Sequence, residues 1–441
     1  MDTHQNVSGN AKSNGLKRRS VTLGGHRLYQ LNCPLPSLGT LFLGTIGVVF
    51  LLAGGLPQPT HAQTLDAAII NQLRGDCDVL TGVGVGSAVG LSAELNSICA
   101  GSDSGPGPGA SSGGGTGSAQ TLGVSVENRR KVRLEGEQDK NGSTATQGAS
   151  FNLGKGVSLF VSANIESLDR DVTTFADGFD STGLGGTVGG DYRVNDQVVA
   201  GVAINYTNRD GDFDGGGNFS TNSYGGILFA SFLPVPGFFA DIAVGYSGHN
   251  YLVARPVSYV EDTSGTTISG TASSNTEGQE VSVRVLAGHD HSIGNLTFGP
   301  RVGLNFSHND IDSYSETGGG GLALSYDDQD VTSLQGTLGI QGSAAVSTPY
   351  GVWVPQATAD YVHEFENDQR DITVQFAGDG RATPTKFSFQ TEKPVRNFFN
   401  LGIGTVLILP NGFQPFVNFR AMAGNEQFNN YAGTIGVRIE G

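Results

Sequence analysis

The sequence predicts an all-β fold: a transmembrane, 12-stranded, antiparallel up-and-down barrel preceded by a short basic pore helix. Three observations carry that expectation. From about residue 150 the side chains alternate in character with period two, and the alternation continues to the end of the chain. Apolar rows on that alternation run from one aromatic residue to another eight positions away. The connections between rows are alternately short and long. Composition agrees. Gly accounts for 68 of 441 residues, about twice the usual share of roughly 7%. Only 37% of residues are hydrophobic, low for a large packed core. A barrel in lipid buries apolar atoms without such a core. After residue 62 no apolar run is long enough for a membrane helix, so any crossing is made by strands.

The elements follow in chain order. Residues 1–62 read as a signal peptide. Lys12, Lys17, Arg18, Arg19 and Arg27 precede LGTLFLGTIGVVFLLAGGL, an uncharged apolar run from Leu38 to Leu56. PQPTHAQ follows, with breakers and a small-residue site that place cleavage after Ala62. The run could just span a bilayer as a retained anchor. Its Gly and Pro residues and the THA site favour cleavage instead, with export by the general secretory route. Residues 63–100 read as a small helical segment, TLDAAIINQLRGDC and LSAELNSIC joined by a Gly-rich stretch. Cys33 leaves with the signal. Cys77 and Cys99 remain as an even pair in an exported chain and are expected to form a disulfide, worth about 3 kcal/mol in the chain-entropy model. Residues 101–120, GSDSGPGPGASSGGGTGSAQ, are linker. Residues 121–149 contain SVENRRKVRLEGEQ, where Arg129, Arg130, Lys131 and Arg133 fall in a plausible basic helix; a solvated linker is the plainer alternative.

Residues 150–441 hold the barrel. Strands are expected near 155–166, 182–193, 197–208, 221–233, 237–251, 279–292, 295–309, 331–345, 350–365, 397–409, 412–424 and 430–440. NDQ, PVPG, IGN, STPY and PNG are short connections. RDGDFDGGGNFST and the stretches around 260–276 and 366–385 are long and polar. Short turns at one end and long loops at the other are the pattern of an outer-membrane barrel. Pro300, Pro355 and Pro415 fall inside expected strands, where they break the ladder, and bulges are the expected accommodation.

Tyr224 and Phe232, Phe238 and Tyr246, Phe298 and Phe306, and Trp353 and Tyr361 are the aromatic pairs. Eight steps of about 3.3 Å, tilted by about 40°, project to roughly 20 Å along a barrel axis. That approaches the apolar band of about 25 Å. These rings are the expected aromatic girdle, one level in each headgroup layer. The opposite faces carry Asp191, Arg193, Asp241, Arg284, Arg301, Asp360, Arg420 and Arg438, with Asn205, Asn305 and Asn418. Such groups avoid hydrocarbon, so they are expected to line a wet pore. A soluble sandwich would put its large apolar residues inside and would not need matched aromatic ends.

Residues 122–441 resemble the C-terminal β-barrel translocator of autotransporters, the type V secretion proteins. The resemblance rests on the signal peptide, the basic segment ENRRKVRLEG, the twelve strands and the ending NGFQPFVNFRAMAGNEQFNNYAGTIGVRIEG. There Gly433, Thr434, Gly436 and Arg438 match the family's last-strand pattern. Ile439 and Gly441 depart from it, because aromatics are common at both positions. The resemblance implies a barrel in the outer membrane of a Gram-negative bacterium, a linker helix threaded through the pore, and a passenger displayed outside. The helix bases could then pair with lumenal acids such as Asp191, Asp241 and Asp360. The passenger would be very short, residues 63–120. Implied partners are outer-membrane lipid and lipopolysaccharide, the barrel-assembly machinery and periplasmic chaperones. Host or cell-surface ligands could meet the loops.

The alternative is an outer-membrane pore or adhesion protein that acts through its extracellular loops. A barrel enzyme is the third reading. Its candidate is His289, Asp290 and His291, beside the short IGN turn and on the wrong rim for a surface protease. No nucleophile, nucleotide loop or metal-ligand spacing stands out, so no catalytic residue, cofactor or metal is assigned. The formal charge of −16 argues against nucleic acid as partner.

Overall fold

The structure, a computed structural model, describes residues 156–173, 176–260 and 267–440. The signal peptide, the segment with Cys77 and Cys99, the linker and the basic segment lie outside the described residues. Twelve long strands follow: β1 (Val157–Arg170), β2 (Phe179–Arg193), β3 (Val198–Phe213), β4 (Asn218–Phe232), β5 (Phe238–Val260), β6 (Thr267–His289), β7 (Leu296–Ile311), β8 (Gln329–Ala344), β9 (Gly351–Glu364), β10 (Asn397–Ile408), β11 (Phe413–Ala423) and β12 (Phe428–Glu440). Each pairs antiparallel with its neighbours in the chain, and β12 pairs with β1 through Glu440 opposite Ser158 and Phe428 opposite Arg170. The sheet is a closed barrel without a free long edge, which satisfies backbone groups in lipid. Among the described residues there is no α-helix, only a 3-10 turn at Gly319–Gly321.

Alternation decides which way each side chain faces. In β1, Leu159, Val161 and Ile165 are exposed while Ser158, Phe160, Ser162, Asn164 and Glu166 are buried. The same inversion runs round the barrel: Val202, Ile204, Leu228, Ile242, Val302, Ile340, Ile403 and Ile435 are all exposed. A soluble protein would not leave this apolar surface in water. Inside, the short-turn end is less polar than expected. Phe160, Ala203, Ile227, Phe229 and Ala243 form one apolar cluster, and Val354, Val406 and Phe416 another.

The prolines have a shared explanation. Arg301, Gln356 and Phe416 are the last residues of their strands aligned with the main ladder of the preceding strand, opposite Gly288, Ser343 and Val406. Pro300, Pro355 and Pro415 come immediately beyond. Each still has a partner on the following strand: Ile340, Thr405 and Val437. The prolines therefore stand where one ladder breaks, so that the missing N–H costs little.

Two expected loops are strand. RDGDFDGGGNFST is mostly the ends of β3 and β4, with a tight connection at 214–217. The hairpin of β5 and β6 continues to Val260 and Thr267. The ends stay in register partly because Phe179, Phe213 and Phe219 pack together inside, with ring centroids 5.2–6.4 Å apart.

The long connections build a cap. Phe387–Gln390, Asp371–Phe376, Leu324–Tyr326 and Tyr314–Ser315 form a four-stranded sheet, in that order. Its core of Leu322, Leu324, Tyr326, Ile372, Val374, Phe376 and Phe389 packs on Val257 of β5 and Ala272 of β6. Arg255 of β5 fastens it. Its Nε donates to Glu316 Oε1 at 3.0 Å and its Nη2 to Glu316 Oε2 at 2.6 Å. Glu316 also accepts from the Leu324 amide at 2.9 Å.

Candidate functional site

The barrel offers three surfaces: a lumen, an outer face and a covered mouth. In the lumen, opposite charges from different strands are joined. Arg438 Nη2 donates to both carboxylate oxygens of Asp191, at 3.0 and 2.8 Å. Arg301 grips Asp360 with two parallel bonds, Nε to Oδ1 being 2.7 Å. Fork-to-carboxylate pairs of this kind are among the stronger hydrogen bonds. Asp241 is buried in the wall. Arg420 lies near Glu166, Asp360 and Arg284. Arg193 sits at the short-turn end, 3.5 Å from Glu440. Asp191 and Asp360, two of the acids expected to meet the basic segment, are thus already held by wall arginines.

Sequence reasoning passed over a third pair. Arg209 Nη2 donates to Glu166 Oε2 at 2.6 Å, and Asn430 Nδ2 donates to Glu166 Oε1 at 2.6 Å. Arg209 escaped notice because its segment read as loop. His249 has no role assigned from the sequence. It faces inward, with Nδ1 2.8 Å from Ser223 Oγ and Nε2 3.8 Å from Glu280 Oε2. At the other end, His289 and His291 lie against Phe238 and Phe298, with centroids 4.4 and 5.6 Å apart. Asp290 is buried and accepts from Gln341 Nε2 at 2.5 Å.

On the outer face, Tyr224, Phe232, Phe238, Tyr246, Phe298, Phe306, Trp353 and Tyr361 are all exposed. More rings join them. Tyr206 lies opposite Tyr224, Phe399 opposite Tyr361, and Phe419 stacks on Tyr431 at 6.5 Å and 17°. Beyond these rings, toward the long connections, carboxylates face each other. Asp169 is opposite Asp180, Asp180 opposite Asp212, and Asp310 opposite Asp330. His308, Asp310 and Asp330 bring three possible ligand atoms within 4.8 Å of one another. A hydrogen bond with Asp310 holds the Asp330 carboxyl above the usual range.

The mouth holds a cavity of about 350 Å³ between barrel and cap. Phe179, Phe219 and Phe428 line its wall, and Tyr314 and Tyr326 approach from the cap, stacked at 4.6 Å and 13°. Burial pushes both tyrosine hydroxyls well up. It pulls the Arg370 guanidinium down.

A closed sheet with an apolar exterior and paired charges within defines a transmembrane β-barrel. The model of the autotransporter beta-domain matches residues 159–420. The chain belongs to the autotransporter β-domain family, and so to the type V secretion barrels of the Gram-negative outer membrane. It is similar to the translocator domain of the autotransporter NalP from Neisseria meningitidis, with a TM-score of 0.51 at 15% identity, over 73% of this chain and 98% of that one. Esterase EstA of Pseudomonas aeruginosa is 28% identical over 225 residues, 49% of this chain and 32% of that protein. Outer membrane protein A of Rickettsia conorii is 23% identical over 323 residues, 72% of this chain and 15% of that protein. The chain therefore spans about a third or less of the curated relatives it matches. The matched translocator domain is non-enzymatic, and the esterase in EstA's name belongs to that protein.

Proposed function

We propose that this barrel anchors the chain in the outer membrane and carries a very short N-terminal segment, residues 63–120, to the cell surface. The observation behind this reading is the barrel itself: twelve strands closed by β12 on β1, with the family match lying within it. In the proposed organisation residues 1–62 are a cleaved signal peptide, Cys77 and Cys99 close the displayed segment, and 101–120 is its tether. Residues 121–149 run through the pore, with Arg129, Arg130, Lys131 and Arg133 against the lumen wall. The exposed rings hold the two headgroup levels, in contact with lipid and lipopolysaccharide. Barrel-assembly machinery and periplasmic chaperones act in delivery. An epitope inserted between residues 100 and 101 tests the display. On intact cells it should bind antibody and be removed by added protease. An epitope reached only after the outer membrane is permeabilised rejects surface display.

A second reading, a pore or adhesion protein that works through its loops, gains support from the cap. A folded cap with its own core is more than a tether between strands. Cells that make a barrel without residues 63–120 would keep adhesion or uptake under this reading and lose the displayed function under the first.

A further inference from the structure

We propose that the cavity under the cap binds a small amphipathic organic cation: an amine carried on an aromatic or branched aliphatic body. The space, about 350 Å³, falls within the range of small-molecule sites, about 300–1,000 Å³. Its walls suit the apolar part of such a ligand. Phe179, Phe219 and Phe428 present rings from three strands, with Phe179 centred 5.3 Å from Phe219 and 6.5 Å from Phe428.

Charge selects the polar part. Glu280, Glu364, Glu366 and Glu392 line the cavity against Arg170 and Arg370. Glu364 is already engaged by the Ser333 hydroxyl and the amides of Leu334 and Glu366. Arg370 donates to the Asp330 carbonyl at 3.2 Å, and Arg170 lies over the Phe428 ring, 5.5 Å from its centroid. Carboxylates remain in excess. Acceptors are also spare at the wall. Among the described residues Asn309 Oδ1 and Glu392 Oε2 have no hydrogen-bond partner, although Glu392 lies in the field of Arg170, whose Nε is likewise without one. A ligand rich in N–H donors complements such a wall, while aromatic faces attract a cation. The aspartate rows outside the mouth, Asp169–Asp180–Asp212 and Asp310–Asp330, give a negative potential that raises the local concentration of cations. A sugar would suit this largely aromatic and aliphatic wall less well, and an anion would meet the carboxylates.

The test is calorimetric titration of the full chain, folded in detergent micelles, with 2-phenylethylammonium and with neutral 2-phenylethanol. Saturable binding of the amine is expected, with the alcohol at least about tenfold weaker. The double variant Glu366→Gln with Glu392→Gln should bind the amine about tenfold or more weakly, while its heat-modifiable gel migration shows that it is folded. Absence of saturable heat, equal affinity for the alcohol, or unchanged affinity in the folded double variant overturns the proposal. So does amine binding that emerges only after residues 121–149 are deleted, because the occupant is then the chain's own basic segment.

Discussion

Phenylalanine on glycine is the recurring contact inside the wall. Phe160, Phe229, Phe239 and Phe416 each lie directly opposite a glycine: Gly189, Gly201, Gly288 and Gly436. A Cβ at any of these glycines would come within 3.0 Å of the facing ring. Glycine is thus required by space, and the ring in turn covers backbone that glycine leaves bare. Gly201→Ala or Gly436→Ala should destabilise the barrel by about 1–3 kcal/mol through overpacking. Gly226 has nothing within 4 Å of its would-be Cβ, so Gly226→Ala should stay within about 0.5 kcal/mol of the parent. The melting of the compact band on heated gels measures both. Equal behaviour of the three variants would remove the packing argument. Asp310 and Asp330 give a second prediction at this scale. Like charges directly opposite one another destabilise a strand pair. The folded Asp330 carboxyl titrates above its ordinary value of 3.8, mainly because it hydrogen-bonds to Asp310. The strain is therefore absent in acid, while one proton is shared, and develops as pH rises through the raised value. Both groups are exposed, so Asp330→Asn should stabilise by only on the order of 0.3 kcal/mol at neutral pH. That gain should vanish near pH 3; a gain that persists there excludes charge as the cause.

At the scale of elements, a buried fork joins the cap to the barrel beside the apolar core. Arg255 and Glu316 are 4% and 5% exposed, which removes most of the screening that weakens surface pairs. Truncation by Arg255→Ala leaves the Glu316 carboxylate buried beside the Leu324 amide, without its guanidinium. A cost of about 3–5 kcal/mol to cap docking is expected. It should be read as faster proteolysis within 312–328 and 365–396 on intact cells, with the barrel's gel mobility unchanged. Protection equal to the parent's would show that the apolar core alone holds the cap. All twelve barrel strands were legible in the sequence, because lipid inverts the usual pattern and leaves alternation plain. Leu159, Val161 and Ile165 outside Phe160, Ser162 and Asn164 are one example. The cap was not legible. Its strands have two to six residues, and Leu324–Tyr326 pairs with Asp371–Phe376, far away in the chain. No local period marks such a pairing. The Phe213 and Phe219 ends were hidden by a Gly- and Asp-rich run that reads as loop but continues the ladder. In the lumen the charged residues were visible one by one, but not their partners. Arg438 meets Asp191 only because β12 closes on β1, which in turn pairs with β2.

Taken as a whole molecule, the barrel has a short-turn side and a capped side. Turns such as 194–197 and 409–412 end the sheet on one side, which the proposed topology puts at the periplasm, while the cap covers the opposite mouth. Trypsin added to whole cells should cut within the long connections only, and cleavage in PVPG or next to IGN would invert the topology. The state of the pore depends on residues 121–149. In the proposed organisation Arg129, Arg130, Lys131 and Arg133 meet the lumen wall. Two wall acids, Asp191 and Asp360, are already neutralised by Arg438 and Arg301. Arg420 and Arg284 add positive charge to the same wall. Attraction for the basic segment therefore falls to other acids, and any single pair gains little after its desolvation is counted. Four bases together still outweigh one. Changing all four to Glu should loosen the segment and raise ion conductance in planar bilayers. Deletion of 121–149 should raise it further, because the steric plug is gone as well as its charge. The order of the three proteins separates the contributions. Conductance that rises on deletion but not on charge reversal means that the segment fills the pore by shape. Conductance that rises in neither places the segment outside the pore, and the solvated linker is then the better account of its charges.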